Sequence, residues 1–138
     1  MSEEVSINSL NDLEKHTFRV FEFPMFSTSI YLIAKEEWGE LHAEISRFFN
    51  CDFGAKSQDT NRGIAIRTAT ESKHVLIVIF SAQEVTLNNV VHELHHCVYY
   101  LNDILDDSLG EEAQSQILGY LVKECWFPFA NRDEVSDE

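Results

Sequence analysis

The chain has 138 residues, of which 44% are hydrophobic and 12% aromatic, and it carries a formal net charge of -14. That length and apolar content suit one folded domain with its own core and exclude an intrinsically disordered chain. The charge excludes the cationic surface that phosphate-backbone binding needs, so no nucleic-acid partner is expected.

No stretch approaches the roughly 18 to 20 uninterrupted apolar residues of a transmembrane helix. The opening MSEEVSINSLNDLEKH lacks the basic start and apolar middle of a signal peptide. The expectation is therefore a cytoplasmic protein with no membrane partner. A single domain spans residues 1–138, with about 1–15 and 130–138 expected to fray because acidic residues such as Glu3, Glu4, Asp137 and Glu138 crowd those ends. Cys51, Cys97 and Cys125 are odd in number and form no C-x-x-C pair, which predicts reduced core thiols.

In chain order, TFRVFEF (17–23) predicts a first strand, turned by Pro24 into a second, STSIYLIA (27–34). KEEWGELHAEISRFF (35–49) predicts an amphipathic helix with Trp38, Leu41, Ile45, Phe48 and Phe49 on its apolar stripe, and His42 reads as a histidine packed beside that stripe. NCDFGAKSQDTNRG (50–63) has turn chemistry throughout and reads as a mobile loop. RGIAIRT and HVLIVIFS, joined by ATESK, predict a hairpin whose second strand is buried on both faces. SAQEVTLNN then offers two helix N-caps, Ser81 in an S-x-x-E box and Thr86. The order strand, strand, helix, strand, strand, helix, helix predicts an α+β fold: a small mixed or antiparallel sheet with helices packed on one face, and a motif helix followed by a C-terminal helix.

The motif lies in VVHELHHC (90–97), where His92, Glu93 and His96 make the pattern H-E-x-x-H. With 6 histidines and 16 glutamates in 138 residues, shuffling would produce that pattern with a probability of about 0.03, so chance is a poor explanation. Val90, Val91, Leu94, Cys97, Val98, Leu101, Ile104 and Leu105 repeat at helical spacing around it. On a helix His92 and His96 stand about 40° apart in azimuth and about 6 Å apart along the axis, so both imidazoles can reach one ion. Glu93 flanks that face, where a carboxylate can hydrogen-bond a water as general base. Taken alone, either histidine would read as an ordinary polar-face residue.

VVHELHHCVYYL, the acidic turn DDSLG and EEAQSQILGYLV together resemble the zinc metallopeptidases of the gluzincin type, and in particular small H-E-x-x-H proteins of phages and prophages. The resemblance covers roughly residues 62 to 124 and is most specific at the H-E-x-x-H core. In that family the second helix opens on an acidic residue and closes on Gly-Tyr-Leu. Here Glu112 and Gly119, Tyr120 and Leu121 fit, while Ser115 and Gln116 replace an Ala-Tyr step. The resemblance implies a zincin-like domain with zinc as cofactor, His92, His96 and Glu112 as metal ligands and Glu93 as general base. Its implied activity is hydrolysis of a peptide bond in a peptide or protein substrate by a water that the metal activates.

The third ligand has a rival. Only 112 − 96 − 1 = 15 residues separate His96 from Glu112, so the motif helix must end soon after Leu101, with Gly110 reversing the chain, or cross the next helix steeply. A straight antiparallel pair would instead bring Tyr120 and Glu124 nearest the histidines. Asp103 shares the azimuth of His96 but lies about 10 Å further along. Tyr99, Tyr100 and Tyr120 are candidate oxyanion donors and, more ordinarily, packing residues. His95 reads as partnered to a backbone carbonyl or carboxylate rather than to metal. The competing class of function is a non-catalytic acidic interaction protein, a phage-type inhibitor or DNA mimic, with a structural or vestigial metal site.

Overall fold

The computed structural model of the chain describes residues 6–36, 38–50, 63–82 and 85–136, the last ten of these by backbone alone. The expected loop and Cys51 fall almost wholly outside the described residues. The fold is α+β, with a four-stranded mixed sheet and four α-helices among the described residues. Two compact units divide the chain, residues 1–84 and 85–138.

The first unit contains α1 (Leu10–Glu14), β1 (Arg19–Phe23), β2 (Thr28–Lys35), α2 (Gly39–Phe49), β3 (Gly63–Ala69) and β4 (His74–Ser81). The sheet order is β1-β2-β4-β3. β1 pairs antiparallel with β2 and β3 with β4, while the central pair β2 and β4 runs parallel, with Ile30 opposite Leu76 and Ile33 opposite Ile79. A parallel pair cannot be closed by a tight turn, and here α2 and β3 lie between the two strands in sequence. Val75 to Phe80 are buried without a break, so β4 is covered on both faces as its apolar run predicts.

One face of the sheet carries Tyr31, Ile33, Ile64, Ile66, Val75, Ile77 and Ile79, which form one cluster with Leu13 of α1 and Trp38, Leu41 and Ile45 at α2. His42 is buried there, edge-on to Trp38 with ring centroids 5.9 Å apart, as a packed histidine. Ser29 is buried too, and its hydroxyl donates to Glu22 and accepts from Lys73 Nζ at 2.8 Å. That network satisfies the Ser29 hydroxyl in its buried position.

Fraying of the first fifteen residues is not what the described part of that segment does. Ser9 caps α1 by accepting from Asp12 N at 3.2 Å, Ile7 and Leu13 are fully buried, and Arg47 Nη2 donates to Ile7 O at 2.6 Å. Burial of two aliphatic side chains offsets the ordering cost of a helix too short to stand alone. Gly63 opens β3 at φ +144°, where a Cβ would stand 2.6 Å from the carbonyl oxygen of Ile79, so the residue must be glycine.

The second unit is a helix pair, α3 (Leu87–Ile104) and α4 (Glu111–Ser136). Thr86 is the N-cap of α3, accepting from Asn89 N at 3.1 Å; Ser81, the other candidate, ends β4. Val90, Leu94, Cys97, Val98 and Leu101 are buried along one side of α3. α3 continues past Leu101 to Ile104, and the chain reverses at Asp106 and Asp107, with φ of 56° and 60°, rather than at Gly110. Asn102 holds the turn by accepting from Leu109 N at 3.1 Å and donating to Asp107 Oδ1 at 3.2 Å. Aspartates tolerate the left-handed region because their short polar side chains bond locally. No described helix is long and apolar enough to cross a membrane.

Candidate metal centre

His92, Glu93 and His96 come together in the middle of α3, the nitrogen and oxygen donors of the three side chains all lying within 4.8 Å of one another. The imidazoles of His92 and His96 have centroids 4.9 Å apart and planes at 86°, as helical neighbours four residues apart should. Tetrahedral ligands at 2.0 to 2.1 Å from an ion stand about 3.4 Å from each other. The group is able to hold a metal ion, and its donor set of imidazole and carboxylate suits a borderline divalent cation.

The three residues sit in unlike surroundings. His92 and His96 are exposed, whereas Glu93 is only 8% exposed. Burial holds the Glu93 carboxyl above its usual range, partly offset by the charge of His92. Burial also lowers the His96 pKa, and the charges of His92 and His95 lower it further, so its free-base form, the form that binds metal, is favoured. No described residue hydrogen-bonds to the Glu93 carboxylate or forms an ion pair with it. A carboxylate on a side chain so poorly exposed is less well hydrated than one in open water. A bound cation would supply a counter-charge.

A shallow depression over this stretch of α3 is lined by Asn88, Val91, His92, His95 and His96. Tyr100, one turn beyond His96, lies nearly parallel to it at 24° with centroids 6.3 Å apart. Tyr99 is 64% exposed and Tyr120 of α4 is exposed. Asp103 is exposed in the last turn of α3.

Glu112 stands outside the group of three. It is exposed in the first turn of α4, where it accepts from Gln116 Nε2 at 3.4 Å. The reason lies in how the helix pair is aligned. Cys97 and Cys125 are both buried and close enough for their charges to interact, and burial, with Glu93 and Cys125 adding, pushes the Cys97 thiol far up. Glu112 precedes Cys125 by 125 − 112 = 13 residues, about 20 Å along the α4 axis. Because α3 runs on to Ile104, the turn and the start of α4 lie far beyond His96. Glu124, half-buried beside Cys125, is likewise not among the three grouped donors. What sequence reasoning missed is the role of His95 in lining the depression, although the spacing of His92 and His95 already places them as helical neighbours.

Comparison with protein-family models, with curated proteins and with solved structures finds no match to this chain.

Proposed function

We propose that the protein is a zinc-dependent metallopeptidase of gluzincin-like character, acting in the cytoplasm on a peptide or protein substrate. The observation that carries this reading is the grouping of the Glu93 carboxylate with the exposed imidazoles of His92 and His96, all within 4.8 Å of one another on one helix. The resemblance of VVHELHHC and its flanks to small phage and prophage H-E-x-x-H proteins supports the same assignment.

His92 and His96 would hold the metal, and zinc, when bound, supplies a Lewis acid that polarises a carbonyl and acidifies a coordinated water. The rest falls to the chain. Glu93, held above the usual carboxylate range by burial, takes a proton from water at the near-neutral pH where hydrolysis would run, and returns it to the leaving amine. Tyr100 lies nearly parallel to the His96 ring one turn further along the helix.

One observation favours a second reading. Glu112 is remote, so if Glu93 itself enters the coordination sphere, no base is left and the site is a non-catalytic metal centre in an acidic interaction protein. One set of variants separates the two. His92→Ala and His96→Ala should abolish stoichiometric zinc in elemental analysis, while Glu93→Gln should keep zinc and lose hydrolysis of a fluorescent peptide library. Zinc loss in Glu93→Gln equal to that in the histidine variants would select the non-catalytic reading.

A further inference from the structure

We propose that Cys97 of α3 and Cys125 of α4 form an oxidation site, a pair of facing thiols that a small disulfide such as glutathione disulfide converts into a bond across the helix pair. The inference stands apart from the metallopeptidase reading, because neither thiol belongs to the grouped metal donors. Three observations carry it.

The first is register. α3 and α4 lie on either side of the chain reversal at Asp106 and Asp107 and pack against each other. Four residues from Cys97 towards that turn stands Leu101, and four residues from Cys125 towards it stands Leu121. All four side chains are fully buried. Antiparallel helices that bury matching positions one turn apart set Cys97 opposite Cys125 and Leu101 opposite Leu121. Second, the two thiols are close enough for their charges to interact, and both are free. The third is spacing. Packed helix axes stand about 8 to 10 Å apart and each Cα about 2.3 Å from its axis, which leaves about 3.5 to 5.5 Å between directly facing Cα atoms. A disulfide spans Cα separations of about 4.4 to 6.8 Å, so the two ranges overlap.

The step is a balanced thiol–disulfide exchange. One cysteine sulfur attacks glutathione disulfide and releases a first glutathione; the facing sulfur then displaces the second. The Sγ–Sγ bond forms, the S–S bond of glutathione disulfide breaks, and the two protons and two electrons given up by the cysteines leave with two reduced glutathiones. Both sulfurs are covered in the native state, so exchange proceeds as the helix pair opens or folds. At a reducing poise the pair stays as two thiols. Cys97 stands about 140° in azimuth from His92 and about 100° from His96, so the bond ties α3 to α4 beside the metal centre and leaves its open face uncovered. Between the two cysteines lie 125 − 97 − 1 = 27 residues. Closing that loop removes about 12 cal/mol/K from the unfolded chain, enough to raise Tm by on the order of 10 °C.

The experiment uses the full chain, unfolded in urea and refolded by dilution into about 1 mM each of reduced and oxidised glutathione, a poise that closes any well-placed pair. Acid quenching, alkylation and peptide mass spectrometry then locate the bonds, and circular dichroism compares helix content with that of the reduced protein. Cys51→Ser is treated alongside, since it leaves Cys97 and Cys125 as the only possible pair. Most chains of both proteins should carry the Cys97–Cys125 bond with native helix content, and oxidised Cys51→Ser should melt on the order of 10 °C above its reduced form. The inference is overturned if Cys97 and Cys125 are recovered as free thiols, as separate glutathione adducts or bonded to Cys51. A Cys97–Cys125 bond accompanied by lost helix content, or by melting at or below the reduced form, overturns it as well, because the thiols then do not face each other in the native fold.

Discussion

Glu93→Gln should stabilise the zinc-free protein at neutral pH even though it is expected to end any hydrolysis. The side chain is 8% exposed, and burial raises its pKa above 4.5, with only the charge of His92 acting the other way. For an acid whose pKa is raised by folding, stability is fully present below the unfolded value, near 4.5, and is lost as pH rises through the folded value. At pH 7.5 the apoprotein therefore bears the cost of a charged carboxylate in a poorly solvated place, and glutamine removes it. The desolvation penalty of a buried polar group without its partners is about 1 to 3 kcal/mol, and the exposure that Glu93 retains places this one near the lower end, at about 1 kcal/mol. With roughly 2.1 cal/mol/K of unfolding entropy per residue, 138 residues give about 290 cal/mol/K, so the expected rise in Tm is about 3 to 4 °C. Calorimetry of both metal-free proteins from pH 4 to pH 8 reads this directly. The two should melt together near pH 4 and separate as pH rises, with the variant higher. A variant that melts lower than wild type at pH 7.5 would refute the reasoning, because it would mean that the carboxylate has a strong partner.

Saturating zinc should raise the wild-type Tm by about 9 °C at a hundredfold excess over Kd, since preferential binding to the native state contributes about 2.7 kcal/mol there; a chelator should reverse the shift, and His96→Ala should show none. Gly63→Ala should cost about 3 kcal/mol or more in urea denaturation, because the added Cβ meets a backbone oxygen at 2.6 Å in a left-handed conformation. Ile77→Ala, at a fully buried position of β4 within the sheet-helix cluster, should cost about 2 to 5 kcal/mol by the same measurement. Cys97 should resist alkylation in the native state at pH 8 and react at once in denaturant, since burial keeps its thiol protonated; rapid labelling of the native protein would show the helix pair opening.

The strands were legible because each is a short apolar run bounded by turn residues. HVLIVIFS matches β4 (His74–Ser81) at both ends, and TFRVFEF overshoots β1 by two residues at its start. α2 begins at Gly39 rather than Lys35, since β2 runs on to Lys35 in register with Ser81. α1 was illegible because five residues are too few for periodicity to show, and its Ser9 cap gains significance only once Ile7 and Leu13 have a core to enter. The parallel pairing of β2 with β4 could not be read either. Strand order depends on contacts between segments more than forty residues apart, which no local pattern encodes.

The site divides along the same line. The sequence by itself determined that His92, Glu93 and His96 share one helix and one flank, because a helix converts a spacing of four residues into neighbouring side chains whatever surrounds it. Only the tertiary structure decided which of those side chains is covered. The helix pair buries Cys97, Leu101, Leu121 and Cys125, so α3 runs straight on to Ile104 and turns at Asp106 and Asp107. Glu112 is thereby carried away from the histidines, and His95 is left exposed beside them. Burial and long-range distance are properties of packing, set by how two helices bury their apolar sides against each other, and a motif read along one chain contains neither.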